Sequence, residues 1–163
     1  MCIRVKNKGN HGSIWHYDEG VRRKLLDIST LRIRGIALSP DDSQLLVATK
    51  KQLYIYDLSN LTLKETINLA GTLKGASWPQ DENILLTYAQ SLKTYAWFYN
   101  LDDKKLIKLT DVPTDQAKLI NDDYLLFFNK DFQFIKKNIK TGESSIIIQF
   151  EKMSEVDWDA DEN

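Results

Sequence analysis

The chain has one cysteine, Cys2, and two histidines, His11 and His16. A lone thiol forms no internal disulfide, and these residues fall short of the four-ligand set that a structural zinc site needs. No stretch of the 163 residues comes near the roughly 20 apolar residues that cross a bilayer. The opening segment, MCIRVKNKGN, lacks the apolar core of a secretory signal, so a reducing, cytoplasmic setting is expected. Excess charge of either sign is missing as well. The 22 basic and 23 acidic side chains leave a formal charge of −1, which argues against a protein built to bind nucleic acid. No Gly-rich phosphate loop, nucleophile elbow or metal-ligand series occurs. No catalytic, cofactor-binding or metal residue is therefore assigned, and no cofactor is expected.

What is present is a repeat. Residues 33–71 read as four short strands, at 34–38, 45–49, 53–57 and 64–69. Pro, Asp, Ser and Asn in the intervening stretches favour local turns. Residues 73–111 follow the same plan: Pro79 matches Pro40, Asp81 matches Asp42, and Ile84-Leu85-Leu86 matches Leu45-Leu46-Val47. A third copy runs from 117 to 150. The third-strand ends, Asp18, Asp57, Asn100 and Asn138, are 39, 43 and 38 residues apart, the spacing of a four-stranded propeller blade. Each unit's second strand (LLVAT, ILLTYA, YLLFF) is apolar almost throughout, as expected where neighbouring sheets cover both faces. A two-sheet sandwich would not require one four-strand unit to recur at one period.

The segment IALSPDDSQLLVAT followed by QLYIYDL resembles a WD-repeat β-propeller blade, with Tyr56-Asp57 and Tyr17-Asp18 where that family has Trp-Asp. The Gly-His pair that usually precedes the first strand is absent, so the family's buried His-Asp network does not carry over. The resemblance implies an all-β fold of four four-stranded blades, approximately 1–30 plus 153–163, 31–71, 72–112 and 113–152, in a single domain over 1–163. The C-terminal SEVDWDADEN aligns with a blade's first strand and turn, Trp158 with Trp78 and Asp161 with Asp81. The N-terminal residues read as a blade without its first strand, at 2–5, 13–17 and 23–28. Across the junction of the termini the third-strand spacing would be 43 residues. A composite blade is therefore expected, closing either a four-bladed monomer or an eight-bladed ring of two chains.

Candidate chemistry is thin. Cys2 with a histidine would supply a nucleophile and a base, but His11 sits in a turn, and incidental placement is the stronger reading. Asp41, Asp42, Asp81, Glu82, Asp122, Asp123, Asp161 and Glu162 fall in the turns after the first strands, where a ring of charge would attract a cation or a basic partner. Capping of turn amides is the stronger reading. Two basic clusters, Arg22, Arg23, Lys24, Arg32 and Arg34, and Lys130, Lys136, Lys137 and Lys140, suit a phosphate backbone less well than solvated strand faces. Trp15, Trp78, Trp97 and Trp158 are expected in inter-blade packing. Asn60-Leu61-Thr62 is a formal glycosylation sequon, expected to be silent.

The expected function is a non-catalytic propeller scaffold that binds a protein partner through face loops and channel mouth, with self-association through the C-terminal strand as a homodimer. Neither nucleic acid nor membrane is an expected partner. A propeller enzyme or a ligand- or cation-binding protein using channel carboxylates is one alternative; a half-ring that completes a partner's propeller is the other.

Overall fold

A computed structural model describes residues 2–9, 11–28 and 32–151. The strand expected within 153–163, with Trp158, Asp161 and Glu162, lies outside the described residues. The regular structure described is fifteen strands and no helix. The first sheet holds β1 (Cys2–Lys8), β2 (His11–Asp18) and β3 (Val21–Ile28). The second holds β4 (Gly35–Leu38), β5 (Gln44–Ala48), β6 (Gln52–Asp57) and β7 (Leu63–Asn68). The third holds β8 (Thr72–Gln80), β9 (Asn83–Ala89), β10 (Tyr95–Asn100) and β11 (Lys105–Lys108). The fourth holds β12 (Gln116–Ile120), β13 (Tyr124–Phe128), β14 (Gln133–Asn138) and β15 (Ser144–Gln149). Every sheet is an antiparallel meander in chain order. The four strands read from 33–71 land within one residue of their expected bounds.

The continuous apolar runs serve two faces at once. In β5, Leu45 and Val47 point to the first sheet, packing with Ile14 of β2 and with Ile33 in the connection that follows β3. Leu46 and Ala48 point the other way, to Leu73, Leu86 and Tyr88 of the third sheet. In β9, Ile84, Leu86 and Tyr88 return that contact, while Leu85 faces Leu119, Leu125 and Phe127 of the fourth. A strand buried on both sides has no polar phase, which is why period-2 alternation is missing from LLVA and ILLTYA.

The last sheet breaks this rule. In β13, Leu125 and Phe127 are buried against the third sheet, but Tyr124, Leu126 and Phe128 are half-buried on a face that no other described sheet covers. At the other end, the outer face of the first sheet carries Trp15 beneath Arg22 and Lys24, 4.8 and 5.5 Å from its ring. Among the described residues the first and fourth sheets do not pack together, so the sheets form an arc. Neither closure expected from the sequence is formed by these residues, and the first sheet has three strands in place of four.

Turn chemistry explains the repeat's ruler. Asp57 Oδ1 accepts from the Ser59 amide at 2.8 Å, Asn100 Oδ1 from the Asp102 and Asp103 amides, and Asn138 Oδ1 from the Lys140 and Thr141 amides. Each side chain thus caps the turn from its blade's third strand to its fourth. A left-handed residue closes each of these turns: Leu61 (φ 59°), Lys104 (φ 56°) and Gly142 (φ 80°).

Gly71, between β7 and β8, meets a stricter demand. Its amide donates to the buried Tyr88 hydroxyl, and a Cβ at this position would lie 1.9 Å from the Ala89 carbonyl oxygen. At Gly35 the nearest atom would be 3.9 Å away, an ordinary contact. Gly71→Ala is therefore expected to cost about 2–4 kcal/mol, and Gly35→Ala under about 1 kcal/mol. Urea unfolding of the two variants checks the contrast.

Candidate functional site

The structure separates most residues that the sequence suggested together. Cys2 pairs with Tyr17 and His16 with Ile3, so Cys2 stands opposite neither histidine. His11 Nε2 contacts Asp27 Oδ1 at 2.9 Å instead. Of the first basic cluster, Arg22 and Lys24 cover Trp15, whereas Arg23 is on the opposite face beside His16. The second cluster disperses too. Lys136 lies 3.9 Å over the Tyr124 ring, Lys137 donates to the Leu109 carbonyl at 2.9 Å, and Lys140 pairs with Asp123 at 2.5 Å. Lys130 lines an open cleft.

Of the turn carboxylates after the first strands, Asp41 caps its own loop, whereas Asp123 pairs with Lys140 and Asp122 accepts from Gln80. Asp41 Oδ1 accepts from the Ser39 hydroxyl at 2.6 Å and the Ser43 amide at 3.1 Å, while Oδ2 accepts from the Ser43 hydroxyl at 2.7 Å. These bonds favour the ionised form and hold its pKa down to about 2. Asp57, bonded to Ser59 and 3.1 Å from Lys64 Nζ, is also held to about 2. Asp81, Glu82 and Asp122 line one open depression, but among the described residues no three His, Cys, Asp or Glu side chains are placed to hold a metal ion. Trp78 is buried between the second and third sheets, and Trp97 packs against the same cluster with its ring edge-on to Tyr88, as expected. Trp15, on the uncovered outer face, is not in inter-blade packing.

A large concavity has, apart from Lys130, no counterpart among the residues singled out from the sequence. A cleft of about 1140 Å³ opens where the second-to-third-strand turns of the third and fourth sheets, residues 90–94 and 129–132, meet the connection into β12. Lys74, Lys93 and Lys130 converge on it with a single carboxylate, Asp115. Its apolar wall is Phe128, against which Phe132, Phe134 and Phe150 pack at centroid distances of 6.2, 5.7 and 6.0 Å. Leu92 stands wholly in solvent at its rim.

The cleft walls are ordered by side chains of the repeat. The Thr114 amide donates to the Thr94 carbonyl at 2.9 Å, and its hydroxyl donates to the Gln116 carbonyl at 2.7 Å, tying two walls together. Asn129 Oδ1 accepts from the Asp131 and Gln133 amides, both at 3.0 Å, and Asn129 Nδ2 donates to Gln133 Oε1 at 2.8 Å. Gln133 continues to Gln149, whose amide nitrogen donates to the Asp131 carbonyl at 3.0 Å. This network holds Phe132 at φ 58°, a left-handed conformation costly for a bulky residue, with 41% of its surface exposed. A signal for the cleft was in the sequence: every complete unit has lysine in its second-to-third-strand turn, at Lys50 and Lys51, Lys93, and Lys130.

No family model and no curated protein sequence matches the chain. Solved structures do. TolB from Acinetobacter baumannii superposes with a TM-score of 0.73 at 17% identity, over 89% of this chain and 40% of that one. The Myceliophteria thermophila Cps50 (Swd1) β-propeller domain gives 0.64 at 16% identity, over 91% and 55%. A chain of the S. cerevisiae assembly of Dbp5 with Nup159, Gle1, IP6 and ADP gives 0.64 at 15% identity, over 91% and 40%. The chain thus spans 40 to 55% of the length of these structures. Likeness at this identity concerns the fold, and the fold is that of consecutive β-propeller blades, as the WD-repeat resemblance implies.

Proposed function

We propose that the chain is a protein-interaction module with no catalytic step of its own, and that the cleft is where its partner sits. The observation that carries this reading is Phe132. Its left-handed backbone costs free energy that the ring's contact with Phe128 returns only in part, because 41% of the residue stays exposed, and strain of that kind concentrates at sites of binding. Leu92 adds a second apolar side chain held out at the same rim. The propeller domains and assemblies among the solved structures support a scaffold by analogy of fold. A lone cysteine fits a reducing compartment such as the cytoplasm.

A photo-crosslinking residue placed at Leu92 or Phe132 tests the site. Crosslinks to protein are expected there well above those at Val21 or Ile107, which are at least as exposed as Phe132 but lie away from the cleft. Equal yields at all four positions would contradict the reading.

A second contact rests on the first sheet, whose innermost described strand, β1, has one unpaired edge. We propose that residues 153–163 supply the missing strand there, from the same copy or from a second one; in the latter case the particle mass is twice 18.9 kDa. Removing residues 153–163 is expected to lower the urea unfolding midpoint read by far-UV circular dichroism. An unchanged midpoint would rule that strand out.

A further inference from the structure

Elsewhere on this surface, lysines near carboxylates are paired with them. Lys24 contacts Asp27 at 2.9 Å, Lys64 Asp57 at 3.1 Å, Lys104 Glu65 at 2.5 Å, and Lys140 Asp123 at 2.5 Å. Lys74, Lys93 and Lys130 are outside these pairs, as are Lys50, Lys51 and Lys118, but the first three share one cleft. They come from two sheets to one cleft, and none has an ion-pair partner among the described residues. Three cations lining one concavity with one carboxylate, Asp115, raise the local positive potential, although the whole chain is nearly neutral. The field inside the cleft therefore selects for negative charge.

The wall selects for something else. Phe128, Phe132 and Phe134 present a carbon-rich surface beside those ammonium groups. No arginine lines the cleft, so the planar fork that grips phosphate through two parallel bonds is missing. Lysine ammonium groups on flexible stems instead suit carboxylates arriving in varied geometry along a chain. An aromatic or leucyl side chain of the same segment would fill the space against Phe128 and cover the exposed Phe132.

We infer that the cleft binds an extended acidic segment of a partner protein, rich in Asp and Glu and anchored by one bulky apolar side chain. This rests on the reading of the cleft as the partner site and adds the chemistry of the partner. Binding is steered by the lysines and held by the phenylalanines, so salt weakens it without abolishing it.

The test uses the full chain and a fluorescein-labelled synthetic peptide of alternating Asp and Glu around a central Trp-Leu pair, followed by anisotropy. Saturable binding is expected. It should weaken about 100-fold in K74E/K93E/K130E, where three attractions become repulsions, and about 10-fold in Phe132→Ala. The milder K93Q/K130Q keeps the result interpretable if the triple variant folds poorly, with an intermediate loss expected. Lys105→Glu, on β11 and outside the cleft, should bind as the parent does. A neutral peptide with Asn and Gln in place of the acids should bind at least 10-fold more weakly.

Equal binding of the acidic and neutral peptides would overturn the inference. So would tighter capture by phosphatidylserine vesicles or an oligonucleotide that the same charge reversals abolish, or a large gain in peptide affinity on removing residues 152–163, which would make the chain's own acidic segment the occupant. Crosslinking at Leu92 and Phe132 that persists when the peptide fails would leave the cleft as an interaction site and discard only the acidic class.

Discussion

The structure depends on burial between consecutive sheets. A single meander of four short strands has two faces and cannot bury either alone, so each sheet is stable only as far as its neighbours cover it. β5 and β9 are the clearest cases, with successive side chains sent alternately to the sheet before and the sheet after. At about 1.5–3 kcal/mol for each large apolar side chain fully buried, these two strands anchor the arc. The faces at its two ends follow the opposite rule: cations over aromatic rings on the first sheet, and Tyr124, Leu126 and Phe128 with Lys136 on the fourth. Both ends carry positive charge, which opposes packing one directly on the other.

The candidate site follows from the same architecture. Strands packed face to face fix the ends of their hairpins, and the second-to-third-strand turns of neighbouring blades are brought side by side. Lysines that are 37 residues apart in the chain, Lys93 and Lys130, therefore line one cleft. The rigid part of the site is the hydrogen-bonded turn from Asn129 to Gln133, with Gln149 bracing it from the outer strand. What the turn supports is Phe132, a left-handed residue that packs on Phe128 yet keeps 41% of its surface exposed, and the proposed partner would cover that surface.

Much of the fold was legible because the repeat is a physical ruler. Asp57, Asn100 and Asn138 recur because each caps the same turn, and Leu45 to Val47 and Ile84 to Leu86 match because each crosses a doubly covered sheet. The pattern of β13 was read the same way, yet one of its faces is uncovered: apolar pattern records what a strand is suited to pack against, not what the chain itself provides. Trp15 misled for a related reason, since a tryptophan under Arg22 and Lys24 on an outer face looks in sequence like one between blades. The cleft was legible only in part. Lys130 was noted within a run of basic residues, whereas Lys74, Lys93, Leu92 and the phenylalanines meet only through blade stacking, a relation that a linear pattern does not display.

The central claim is that the middle strands are buried on both faces by different neighbours. Leu45→Ala and Leu46→Ala, adjacent in β5 and pointing to opposite sheets, test it most directly in urea unfolding. Both are predicted to lose about 2–5 kcal/mol. A loss below about 1 kcal/mol at either position would mean that one face of the strand is not covered, and would contradict the account.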